Sequence, residues 1–134
     1  MSLVYGKPVE SWIRENSPEN GVFRAYWTKD GEGVSLEDTG YGLRYEWYFK
    51  DGKQDGESKG WYPTGQLKSI KNWKNGIQDG LQTEWYENGH KMLIESFKDG
   101  RFDGLFTKWH ENGQKKWENT YKDGILIDKV IQGE

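Results

Sequence analysis

The chain of 134 residues contains no cysteine. That removes a disulfide scaffold, a thiolate metal site and a cysteine nucleophile together, and leaves the redox compartment unmarked. Apolar side chains are scarce too: 33% of residues are hydrophobic and the mean hydropathy is -1.06, so a thick aliphatic core is out of reach. No apolar run approaches the length of a membrane span, and no secretory h-region is visible. Met1-Ser2-Leu3 and Gly133-Glu134 read as added ends, which leaves room for a trimmed leader peptide. Cytoplasmic is therefore the default expectation for location. Charge of one sign is also lacking. The net -3 comes from 19 basic and 22 acidic residues, a poor counter-ion for phosphate backbones or anionic lipid, so neither nucleic acid nor a membrane is an expected partner.

Aromatics and glycine fill the gap. Eight Trp, eight Tyr and five Phe make 16% of the chain, too many for a disordered one, and 18 glycines punctuate it. Three consecutive 24-residue blocks, 50–73, 74–97 and 98–121, are copies of one another. Identical columns include the glycines Gly56, Gly80, Gly104, Gly65, Gly89 and Gly113, and the tryptophans Trp61, Trp85 and Trp109. A fixed period of this kind marks an array in which each unit buries its apolar surface on its neighbours.

Within one copy, Leu81, Thr83 and Trp85 alternate with Gln82, Glu84 and Tyr86, a period of two that predicts a strand. Asn88-Gly89 marks a turn, 90–97 the returning strand, and the two Asp-Gly steps of 98–104 turn the chain again. A three-residue loop from Glu87 to Gly89, with Gly89 left-handed, is preferred to a two-residue loop because it groups the aromatics. The expected fold is all-β: an antiparallel meander of β-hairpins built from 24-residue repeats. Residues 1–134 form one domain, with irregular repeats or a cap over 1–49, three regular repeats over 50–121 and a capping strand over 122–134. One face should carry two aromatic ladders, Trp61, Trp85 and Trp109 beside Phe49, Trp73, Phe97 and Tyr121. Upstream, Asn20-Gly21, Tyr26-Trp27 and Lys29-Asp30-Gly31 echo the repeat, in a copy over 29–49 that is three residues short.

The run Gly80-Leu81-Gln82-Thr83-Glu84-Trp85-Tyr86-Glu87-Asn88-Gly89-His90-Lys91 and its copy from Gly104 to Lys115 resemble the MORN-variant repeat family. A further copy around Gly60-Trp61-Tyr62-Pro63-Thr64-Gly65 departs from it at Pro63-Thr64. Bacterial proteins of this kind resemble the YwqK-type group, often labelled as antitoxins of toxin–antitoxin pairs. The resemblance implies a protein partner, a toxin among the candidates, and brings no catalytic residues with it.

Chemistry is hard to place. His90 and His110 occupy different repeat columns, outside any recognisable catalytic or metal-ligand spacing. The paired carboxylates Asp51 with Asp55 and Asp99 with Asp103 offer too few oxygens for calcium, and Asn75 replaces the first of them in the middle copy. Local turn chemistry explains them better. No catalytic residue, metal site or cofactor is expected. A candidate binding stripe is Tyr62, Tyr86 and His110 with Ile70 and Ile94, on the face away from the tryptophans. The leading reading is a non-enzymatic protein-binding scaffold; the alternative is a carbohydrate- or choline-binding module using that stripe. The apolar Ile125, Ile127, Val130 and Ile131 would form a final edge strand open to pairing, including with a second copy.

Overall fold

The computed structural model describes residues 16–131, so residues 1–15 of the expected cap and 132–134 of the expected capping strand lie outside the described residues. Among the described residues, twelve strands form a single antiparallel sheet. They are β1 (Gly21–Trp27), β2 (Val34–Ser35), β3 (Leu43–Lys50), β4 (Lys53–Gln54), β5 (Gly56–Trp61) and β6 (Leu67–Lys74). There follow β7 (Ile77–Gln78), β8 (Gly80–Trp85), β9 (Lys91–Lys98), β10 (Arg101–Trp109), β11 (Lys115–Lys122) and β12 (Ile125–Ile131). The order across the sheet is β12-β11-β10-β9-β8-β6-β5-β3-β1-β2, with the short β4 beside β3 and β7 beside β6. The antiparallel hairpin meander is therefore the architecture.

Two turn chemistries make it. At one margin Asp51-Gly52, Asn75-Gly76, Asp99-Gly100 and Asp123-Gly124 are two-residue loops in which both residues have positive φ, between 49° and 83°. Such a left-handed pair matches the twist of the flanking strands, and Asp or Asn followed by Gly is the pair that tolerates it. At the other margin the Gly89 N–H donates to the Tyr86 carbonyl (3.0 Å) and the Tyr86 N–H to the His90 carbonyl (2.9 Å). With Gly89 at φ 89°, this is the expected three-residue loop.

The expected faces differ, because each hairpin contains a second bulge. Trp85 pairs with Lys91 but Glu84 pairs with Leu93, leaving Met92 as an extra residue. Lys68 and Lys116 are extra in the same way in the other copies. One added residue reverses the faces beyond it. Leu93 and Phe97 thus share a face with Glu84, while Trp85 shares the other with Thr83 and Ile94. The two aromatic ladders lie on opposite faces. The Phe97 face carries a ring cluster in which Phe102 stands 4.4 Å from Phe106 and 5.3 Å from Tyr121, centroid to centroid.

A third irregularity explains the Gly56, Gly80 and Gly104 column. Phe49 pairs with Gln54 and Glu46 with Lys59, so the Asp55-Gly56 step absorbs two extra residues, with Gly56 at φ 107°. Gly21, at φ 108°, is the same residue of the first repeat. Asn20-Gly21 therefore matches the Asp-Gly step, and not the Asn-Gly turn. Trp27 then occupies the place of Tyr62, its N–H bonding the Gly42 carbonyl as that of Tyr62 bonds Gln66. The first repeat is not three residues short; its hairpin loop holds residues 28–41, fourteen where the next copy has the three at 63–65.

That insertion completes a buried hydrophobic cluster. Val34 (1% exposed) closes on Phe23 and Ala25, with Leu36, Tyr45, Trp47 and Phe49 around them. Arg44, the extra residue of this hairpin, anchors the loop by donating to the Gly33 carbonyl (3.1 Å) while its guanidinium lies 4.3 Å over the Trp27 ring.

Gly80 carries a testable consequence, since at φ 106° an added Cβ would also sit 3.3 Å from the Asn72 Cβ. Gly80→Ala should lower unfolding free energy by about 1–3 kcal/mol in urea titrations, whereas Asn75→Gly, in a turn that accepts either residue, should change it by less than about 1 kcal/mol.

Candidate functional site

The five residues of the expected stripe do not share a face. Tyr62, Tyr86 and His110 follow Trp61, Trp85 and Trp109 by one position and so alternate onto the face of Glu84 and Phe97. Ile70 and Ile94 lie on the opposite face, in a row through Thr83 and Thr107. The tyrosines are also engaged. Tyr62 donates its hydroxyl to the Trp85 carbonyl (2.6 Å) and Tyr86 to the Trp109 carbonyl (2.8 Å), each reaching one repeat forward. Burial, followed by the charge of Glu87, pushes the Tyr62 hydroxyl above the usual tyrosine range and keeps it a donor. His110 is third in this column, and its Nε2 is buried without a partner. His90 lies beside the next turn, its Nδ1 2.8 Å from the Glu111 carbonyl oxygen, to which the Asn88 amide also donates (2.9 Å).

The aspartates act between repeats as well. Asp55 accepts from the Asn75 N–H (3.3 Å) and Asp79 from the Asp99 N–H (3.2 Å), so each of these two carboxylates holds the following turn. This corrects the expectation of purely local turn bonding. Among the described residues no group of three or more His, Cys, Asp or Glu is placed to hold a metal ion.

A feature not anticipated from the sequence lies on the Phe97 face at the junction of the first two repeats. A cavity of about 580 Å³ is walled by Tyr45, Trp47, Phe49 and Trp73 and edged by Lys71 and Glu84. Its floor is made of small residues, Ser58, Gly60 and Ser69. The next copy has Gln82, Glu84 and Leu93 in those places, and the third has Phe106, Lys108 and Trp117. Side-chain size at these columns was the available signal. Farther along the face, burial and the neighbouring Glu84 raise the Glu95 pKa, with Lys71 opposing them. Glu118, on the other face, is lowered by hydrogen bonds from Lys115 and Thr107.

The third surface is the outer edge. Among the described residues β12 ends the sheet order, and one side of its backbone has no strand neighbour among them. Ile125 is 67% exposed and Ile127 62%, with Leu126 and Val130 exposed beside them. Contiguous apolar exposure on an edge strand is unusual, because edges are ordinarily protected by charge, proline or a covering loop.

Residues 54–75, 78–99 and 102–123 match the family model described as the MORN repeat variant, three tandem copies with starts 24 residues apart. Repeats of this family are generally protein- or membrane-binding modules and are typically non-enzymatic. No curated protein matches the chain. Among the described residues, no helix is long and apolar enough to cross a membrane.

The tyrosine ties can be weighed singly. Tyr62→Phe and Tyr86→Phe should each lower stability by about 0.5–1.5 kcal/mol in urea unfolding, and the double variant should lose roughly their sum. A neutral result for both would show that the hydroxyls bind nothing that matters to the fold.

Proposed function

We propose that this chain, which carries three tandem MORN-variant repeats, is a non-enzymatic protein-binding scaffold resembling an antitoxin, with a protein of the toxin class as its partner. The observation that carries the reading is the apolar outer edge of β12, at Ile125, Leu126, Ile127 and Val130. An extended segment of a partner adds there as a further strand: its main chain supplies hydrogen bonds to the open edge, and alternate side chains cover the exposed isoleucines. Pairing with β11 holds β12 on its other side, with Ile127 as a one-residue bulge, so the partner meets a preformed edge. A sugar- or choline-binding role would draw on the tyrosine column, but the Tyr62 and Tyr86 hydroxyls are already committed to backbone carbonyls.

The test is capture from a lysate of the native host, comparing the wild-type chain with an Ile125→Lys/Ile127→Lys variant of equal melting temperature. One protein retained in stoichiometric amount by the wild type and lost by the variant is the expected result. Equal retention by both chains, or no retained protein, would overturn the reading.

A further inference from the structure

The cavity between the first two repeats has a chemical character of its own, and it lies apart from the β12 edge on which the protein-binding reading stands. A volume of about 580 Å³ is in the range that encloses a small organic molecule. The cavity exists because three floor positions are small. Ser58 and Gly60 are buried, and Gly60 is not at positive φ, so the backbone itself does not require glycine there, although a Cβ at Gly60 would meet the Ser69 Oγ at 3.1 Å. The equivalent positions Glu84 and Lys108 carry long side chains on the same backbone.

The walls favour a flat apolar body. Tyr45 and Trp47 stand edge to face at 5.8 Å, and Trp73 lines the far side with its indole N–H buried and unpartnered. An indole N–H can only donate. The charges favour an anion: Lys53, Lys68 and Lys71 line the cavity against one carboxylate, Glu84. Glu95 also acts on this region through Lys71 and Glu84, and the cations still outnumber the carboxylates. Lys71 is the cation set within the sheet face, on the strand residue that pairs with Ser58 of the floor.

We infer that this cavity binds a small planar organic anion of the aromatic carboxylate class, its ring against Tyr45, Trp47 and Trp73 and its charge beside Lys71. The recognition is aromatic contact for the body and the half-buried Lys71 for the head, and both are present in the free protein.

The probe is indole-3-acetate, titrated calorimetrically into the full chain, with tryptamine, a similar indole bearing an ammonium, as the charge-reversed control. Saturable binding of one indole-3-acetate per chain is expected, with tryptamine weaker by about tenfold or more. Gly60→Glu fills the floor with the residue found at position 84, and Lys71→Glu imports the residue found at position 95. Each should weaken indole-3-acetate by about tenfold or more with an unchanged circular dichroism spectrum. Should Gly60→Glu fail to fold, Lys71→Glu and the milder Lys71→Gln decide. Tryptamine binding as tightly as indole-3-acetate, affinity unmoved by the Lys71 substitutions, or no saturable binding up to about 10 mM would each overturn the assignment. None of these results bears on capture through β12, so either proposal can fail alone.

Discussion

A hydrogen bond that crosses from each repeat to the one before it holds the array in register. In each of the four two-residue turns the glycine N–H points back and donates to a carbonyl of the preceding unit. Gly52 donates to Glu19, Gly76 to Gln54, Gly100 to Gln78 and Gly124 to Phe102, all at 2.8 to 2.9 Å. The side chains of Asn20, Asp55 and Asp79 take the adjacent N–H of the same turns. At the opposite margin the Tyr62 and Tyr86 hydroxyls reach forward by one repeat. Each bond contributes only about 1 kcal/mol net, but a lone hairpin is marginal in water, so ties between neighbours decide whether the array stands.

This division of labour separates frame from surface. The invariant glycines, aspartates and aromatic positions are consumed by turns, bulges and cross-repeat bonds. What changes from copy to copy is the face. One row runs Tyr45, Gly60, Ser69, Glu84, Leu93, Lys108 and Trp117, passing from aromatic to glycine to charge and back to indole. A constant frame with a variable face is how repeat proteins present a binding surface. The cavity on that face and the apolar β12 edge are two separate places where such a surface can act.

Much of the frame was legible in the sequence because its signals are chemical. Asn88-Gly89 and Asp99-Gly100 name their turns, and the grouping of aromatics puts Gly89 left-handed in a three-residue loop, as it is. The second bulge was not legible. Its extra residues are Lys68, Met92 and Lys116, none of which marks a backbone irregularity by type, and a single unmarked residue was enough to put the two aromatic ladders on opposite faces. The first repeat resists framing for a related reason: Asn20-Gly21 looks like the Asn-Gly turn but holds the place of Asp55-Gly56, as the φ of Gly21, its pairing with Phe49 and the bond from Asp51 to Asn20 reveal. Of the surface, the apolar β12 edge could be read from composition along the strand. The cavity could not, because its floor and walls come from β3, β5, β6 and β8, whose register depends on the unread bulges.

Native-state hydrogen exchange at the turn glycines tests the cross-repeat bond most directly. The Gly76, Gly100 and Gly124 amides lie in exposed turns, yet they should exchange as slowly as amides in the middle of β6 and β9 and share their dependence on denaturant. Exchange at the rate of an open solvent-facing turn would show that the repeats are not joined there, and the account of how the sheet holds together would fail.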